Sequence, residues 1–204
     1  MSKSAVKLLW VIFLVGFLLP DAAVFGGPKI DKAKIKLDVE RTPQFQDSRY
    51  GSSGSGDSWL AVRVEFELSG DKDEWVDEAE MSYKLLIPRK NGRLVMLEQT
   101  IKVIDLKCGK KLNSVVYVRP SFIEKVCGST RPDLGKTSVY VDFRASGQLL
   151  HADPITIDGS GMPRGWFKLK ELSKVKKYLN DISPRSKTPF AVLDYDYYVS
   201  EKAD

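Results

Sequence analysis

LAVRVEFEL, residues 60–68, is the stretch whose reading decides the fold. Leu60, Val62, Val64, Phe66 and Leu68 alternate with Ala61, Arg63, Glu65 and Glu67. A period of two gives a strand with one buried and one wet face. Such a strand needs a second apolar layer over its inner face, which predicts packed antiparallel sheets rather than a doubly wound parallel sheet.

Similar patterns flank it. Ile35, Leu37 and Val39 alternate with Lys34, Lys36, Asp38 and Glu40 in a first strand over residues 29–40. Residues 42–57 are polar and glycine-rich, without periodicity, and read as a flexible loop. After the turn SGDKDE, a strand runs over residues 75–87 with Ala79, Met81, Tyr83, Leu85 and Ile87 on one face. Asn91–Gly92 is a hairpin signal of the type I′ kind, so residues 94–104 pair back on that strand. A β-branched run over 113–119 follows. In SFIEKVCG, residues 121–128, Ser121 and Glu124 fit a capping box and Gly128 a C-cap, which predicts one or two turns of helix. TSVYVDFRA (137–145) is a further strand, and residues 149–157, interrupted by Pro154, form a last hairpin partner at an edge. About seven strands with frequent turns fit an immunoglobulin-like antiparallel β-sandwich, although the antibody pattern of two strand cysteines around a core tryptophan is absent.

The N-terminus has the plan of a secretory signal peptide over residues 1–26. Lys3 and Lys7 precede an apolar stretch from Leu8 to Leu19, and the small-residue zone DAAVFGG follows, with Val24 and Gly26 suited to a cleavage site. Twelve residues span roughly 18 Å as a helix, short of the roughly 30 Å hydrocarbon core, so no transmembrane anchor is expected after cleavage. No cysteine directly follows that zone, which speaks against a lipid anchor. The whole chain has 204 residues and a net charge of +5, which falls to +4 without Lys3, Lys7 and Asp21. That mild excess, with no aromatic-basic motif, makes nucleic acid a poor partner. Cys108 and Cys127 are an even pair, which in an oxidising compartment reads as a disulfide contributing roughly 3 kcal/mol, two buried free thiols being the alternative. The single histidine, His151, has no ligand partner at metal spacing, and Asp71, Asp73 and Glu74 lack the glycine and distal glutamate of a calcium loop, so no metal and no cofactor is expected.

The C-terminal third changes character. Leu169, Leu172, Val175, Leu179 and Ile182 share a face at helical spacing, which predicts an amphipathic helix with Lys170, Lys174 and Lys177 mostly opposite. Those lysines form either a solvated face or a polyanion site. The tail carries Phe190, Tyr195, Tyr197 and Tyr198, aromatics that dock back on the domain or fill a partner's groove. The chain therefore divides into residues 1–26 as signal, 27–58 as first strand and loop, 59–160 as sandwich core, and 161–204 as helix and tail packed on the same domain.

WVDEAEMSYKLLI (75–87), LNSVVYVRPSFIEKVCG (112–128), TSVYVDFRA (137–145) and SKTPFAVLDYDYY (186–198) together resemble a family of small exported immunoglobulin-like proteins of Verrucomicrobia, encoded near type IV pilus assembly genes. The resemblance extends from about Trp59 to Tyr198. Thr188, Pro189, Phe190, Ala191, Asp196 and Tyr198 stand where such tails carry TPFAP and then D and Y, with Val192 in place of the second proline. It implies a β-sandwich in the cell envelope, in the periplasm or at the surface of a Gram-negative bacterium, with envelope or pilus proteins as partners. It carries no catalytic residue.

For function, His151 has no neighbouring nucleophile motif, so catalysis is not expected. A structural or protein-interaction module of the envelope, with self-association as one form, is the leading expectation, its surfaces being the 149–157 edge and the aromatic tail. A carbohydrate-binding module using Trp59, Trp75, Trp166, Tyr195 or Tyr197 is the alternative.

Overall fold

The structure, a computed structural model, describes residues 27–43 and 57–202. The expected signal peptide and most of the expected glycine-rich loop lie outside the described residues. The described residues are mainly β, two sheets packed as a sandwich with one α-helix among them. Its strands are β1 (Ile30–Arg41), β2 (Ser58–Leu68), β3 (Trp75–Pro88), β4 (Leu94–Lys107), β5 (Lys111–Val118), β6 (Ser138–Ala145), β7 (Gln148–Leu149), β8 (Ile155–Ile157), β9 (Lys176–Leu179), β10 (Ile182–Pro184) and β11 (Ser200–Glu201), with α1 (Pro120–Cys127) between β5 and β6.

One sheet has the order β1-β2-β5-β10; the other runs β11-β4-β3-β6-β7, with β8 also on β6 and β9 on β4. Within the first sheet β1, β2 and β5 pair antiparallel, and within the second β4, β3, β6 and β7 do so. β10, from the C-terminal segment, pairs antiparallel with β5 at the edge of the first sheet. Seven expected strands thus form the sandwich, the last one split into β7 and β8 at the sheet edge, and β9–β11 are additions from the tail.

The inner faces follow the alternation. Leu60, Val62, Val64, Phe66 and Leu68 are at most 1% exposed and meet Met81, Leu85, Val139, Val141 and Phe143 of the other sheet. Each such side chain contributes roughly 1.5–3 kcal/mol by burial. Tyr83 and Ser114, one from each sheet, join hydroxyls at 3.1 Å, which satisfies both polar groups in the core.

Three local expectations need correction. The β3–β4 hairpin forms, but Gly92 alone has positive φ (75°) while Asn91 does not; Gly92 N donates to Arg89 O (2.9 Å) and Arg89 N to Arg93 O (2.7 Å). That is a longer loop ending in a left-handed glycine, not a type I′ pair. The two-residue turn with both φ positive is Ser146–Gly147, between β6 and β7. At α1, Pro120 opens the helix after Arg119 and no side chain caps it, so the Ser121–Glu124 box is not formed; Gly128 does close it, φ 67°, with its N–H on Glu124 O at 2.8 Å.

The amphipathic helix over residues 169–182 is also absent. The segment makes short 3-10 turns at Trp166–Lys168 and Lys170–Lys174, then β9 and β10. Leu172 and Trp166 are buried on Leu86 and Met96, the outer face of the second sheet, while Leu169 and Leu179 stay exposed. The open edge of β4 decides the outcome, because residues 176–179 pair in parallel with Val95–Glu98 and satisfy that edge's backbone groups. Tyr178, not Leu179, points inward, edge-on to Phe122 at 5.0 Å.

Candidate functional site

The C-terminal tail folds back over the outer face of the β1-β2-β5-β10 sheet. That face is apolar where a solvated sheet would be polar: Ala61, Val115 and Tyr117 are at most 2% exposed. Phe190, 3% exposed, stacks flat on Tyr117 with centroids 4.4 Å apart and stands edge-on to Trp59 at 5.8 Å. Trp59 Nε1 donates to Thr42 Oγ1 at 2.9 Å, which fixes its ring against the pair.

Arg185 organises the tail's backbone. Its guanidinium is buried, and Nη1 donates to the carbonyls of Ala191 (2.8 Å), Leu193 (2.9 Å) and Phe190 (3.5 Å), while the group lies over the Tyr198 ring at 5.3 Å. Glu201, in β11, accepts from the backbone N–H groups of Arg185 (2.8 Å) and Ser186 (2.9 Å). The Thr188 hydroxyl donates to Arg185 O at 2.7 Å. A buried cation is costly unless its donors are satisfied, and here three carbonyls and a ring surround it.

Beside the docked tail lies a shallow cavity of about 830 Å³ lined by Lys36, Asp38, Arg63, Asp194, Asp196, Tyr197 and Tyr198. Arg63, in mid-β2, bonds Asp38, reaches Glu40 at 2.7 Å and donates from Nε to the Tyr198 hydroxyl at 3.3 Å. Desolvation works against the Arg63 charge, but the Tyr198 hydrogen bond and the two carboxylates outweigh it and push its pKa up. Glu40 is pushed above the usual carboxylate range by burial, with Asp38 adding to the rise and Arg63 opposing it. The tail is thus tied to β1 and β2 by charge as well as by ring packing.

The expected residues fall out as follows. Phe190 is a buried anchor and Tyr198 a half-buried one. Tyr197 is 56% exposed at the cavity rim, edge-on to Tyr198 at 5.0 Å. Tyr195 opens the 3-10 turn Tyr195–Tyr197. Lys170, Lys174 and Lys177 share no helix face: the first two lie on a 3-10 turn, and Lys177, in β9, pairs with Glu98 at 3.2 Å. Among the described residues no cluster suits a metal ion. Arg185, Arg63 and Glu201 were not singled out from sequence. The signal for the covered face was present in Leu60-Ala61-Val62 and Val115-Val116-Tyr117-Val118, where alternation breaks into continuous apolar runs.

The expected disulfide is not formed, and both cysteines are free. Cys108 is held beside the start of β3, its N–H on Glu74 O at 3.0 Å, whereas Val126, next to Cys127, accepts from Lys90 beyond the end of β3. The fourteen extended residues of β3 separate the two sites by roughly 40 Å. A disulfide needs Cα atoms within about 7 Å. Burial raises both thiols' pKa values, which favours unreactive thiols.

His151, between β7 and β8, is buried. Its Nδ1 lies 2.9 Å from Asp153 O and its Nε2 3.2 Å from Asp142 Oδ1, which also accepts from the Tyr140 hydroxyl at 2.5 Å. The ring is spent on a carbonyl and a carboxylate, and it orients the β7–β8 corner rather than a nucleophile.

Among curated proteins none matches this chain. A crystal structure from Akkermansia muciniphila superposes with a TM-score of 0.67 at 14% identity, covering 87% of this chain and 94% of that one, a likeness of fold. A Bacteroides uniformis beta-glucuronidase matches 62% of this chain and 13% of its own, at 17% identity and a TM-score of 0.30. One family model takes in residues 26–204, the sandwich and its docked tail together, and the chain belongs to the family that this model describes.

Proposed function

We propose that this is a non-catalytic, exported envelope protein whose docked tail presents a protein-interaction face, acting in type IV pilus or surface assembly. One observation carries the reading: a tail immobilised by Arg185 and Phe190 holds Val192 (68% exposed), Leu193 (39%) and Tyr197 (56%) out to solvent together. Apolar and aromatic groups held rigid at a surface lose little entropy on binding, which suits a recognition face. The carbohydrate-binding alternative is weaker. Trp59 and Trp166 are taken up in packing, and the exposed Trp75 opens β3 of the second sheet whereas Tyr197 lies on the Tyr195–Tyr197 turn beside β1 and β2 of the first, so they do not form one platform.

The test is a photo-crosslinking residue at Tyr197 in the native cells, with the same residue at Trp75 as control. Adducts with pilus or secretion-machine subunits from position 197 alone support the reading. Self-adducts alone, or the same captures from both positions, overturn it.

A further inference from the structure

Where the β3–β4 hairpin meets the C-terminal end of α1, a groove of about 520 Å³ is lined by Arg89, Lys90, Arg131 and Lys136, with Leu94 and Met162 among its apolar walls. Its one carboxylate, Asp133, is taken by Lys136 at 3.0 Å. Arg89, Lys90 and Arg131 have no ion pair among the described residues. Some bases elsewhere are paired, among them Lys102 and Lys202 with Glu78, Lys111 with Glu65, Lys177 with Glu98 and Arg119 with Asp181; this groove differs in gathering four cations around one concavity with a single carboxylate. Three uncompensated cations around one concavity repel each other, and an anion relieves that repulsion.

The scaffold holds these cations from separate segments. Lys90 N donates to Val126 O at 3.3 Å, and its side chain runs across Gly128, where an added Cβ would come within 2.8 Å of Lys90 Cδ. Ser129 Oγ donates to Arg131 O at 2.6 Å, and Ser160 N to Gly135 O at 2.7 Å, which closes the far wall. At Gly92 and Gly161, both with positive φ, an added Cβ would meet nothing, so the rim is open to an entering chain.

We propose that this groove binds a polyanionic oligosaccharide bearing sulfate or carboxylate groups. Two guanidinium forks suit oxyanions, and a concave wall suits a chain. A bilayer surface fits less well, because Leu94 and Met162 are half-buried and offer no apolar wedge. A protein partner would need roughly 800 Å² per side with aromatic or aliphatic anchors, and the exposed large hydrophobics lie on other segments.

The test is titration of the folded chain with a size-defined heparin hexasaccharide, with maltohexaose as the neutral probe, across a salt series. The expected result is heparin binding without maltohexaose binding, weakened about tenfold or more by Arg89→Gln/Arg131→Gln, with the salt slope reduced by about 1.5. Lys32→Gln/Lys111→Gln removes equal charge elsewhere and is expected to change affinity less than about twofold. Arg131→Gln alone, at an exposed position, is the fallback if the double variant does not fold. No heparin binding at low salt, or equal weakening by both double variants, overturns the proposal. So does Arg131-dependent binding of a poly-glutamate peptide or of anionic vesicles that exceeds heparin binding. The Tyr197 crosslinking result does not depend on this groove, so the two readings fail separately.

Discussion

Replacing Arg185 by methionine isolates what holds the tail to the sandwich. Methionine keeps the apolar stem's volume and removes only the charged fork. The fork makes two good hydrogen bonds, to Ala191 O and Leu193 O at 2.8 and 2.9 Å, and a longer one to Phe190 O. Bonds from a charged donor contribute about 1.5–3 kcal/mol each, and the contact with Tyr198 about 1 kcal/mol. Against this stands the desolvation cost of the guanidinium, which the variant no longer bears. Water also reaches the freed carbonyls if the turn opens. The net expected loss is about 3 kcal/mol, limited by the free energy with which the tail docks. For a chain of this size a urea slope near 2 kcal/mol/M converts that into a midpoint lowered by about 1.5 M. Arg185→Lys, which restores charge without the planar fork, is expected to recover part of it. A midpoint change below about 0.3 M for Arg185→Met would refute the carbonyl cage as a stabilising element.

Phe190→Ala removes the ring stacked on Tyr117 and is expected to cost about 3 kcal/mol and to alter Trp59 fluorescence; unchanged emission and stability would mean the stack contributes nothing. Tyr83, Tyr117 and Tyr140 are all pushed above the ordinary tyrosine range, by burial first, so each holds its proton more tightly folded than unfolded. Their contribution is complete below the unfolded pKa and is lost as pH rises from there through the folded pKa; the thiols of Cys108 and Cys127, also raised by burial, add a loss that begins at about pH 8.5, so the urea midpoint is expected to hold from about pH 7 to 8 and to fall in alkali, most steeply above about pH 10. A midpoint that rises in alkali would contradict the assignment. Denatured without reductant, the chain is expected to take up two thiol labels by mass spectrometry; uptake of none would show that Cys108 and Cys127 are bonded after all.

The sandwich was legible because its decisive strands alternate cleanly, and the turn glycines at Gly92, Gly128 and Gly147 fell where the chain reverses or a helix ends. Cys108 and Cys127 misled because an even count says nothing of distance, and β3 runs between them. The Leu169–Ile182 spacing satisfied a helix in isolation, but the competing edge of β4 is a non-local partner that no window of sequence contains. The covered outer face of the second sheet had a local sign in Leu85-Leu86-Ile87 and Val95-Met96-Leu97, where three apolar residues in a row put Leu86 and Met96 together on that face. The Arg185 cage had none, since its acceptors are backbone carbonyls available at any residue.

The central claim is that the tail is a structural part of the domain and not a free peptide, and backbone hydrogen exchange of residues 185–199 tests it most directly. The account predicts slow exchange at the amides of Thr188, Ala191 and Leu193, whose N–H groups bond to Arg185 O, Thr188 O and Phe190 O, and faster exchange there in Arg185→Met. Exchange of these amides at the rate of an unfolded peptide in the unmodified chain would contradict it.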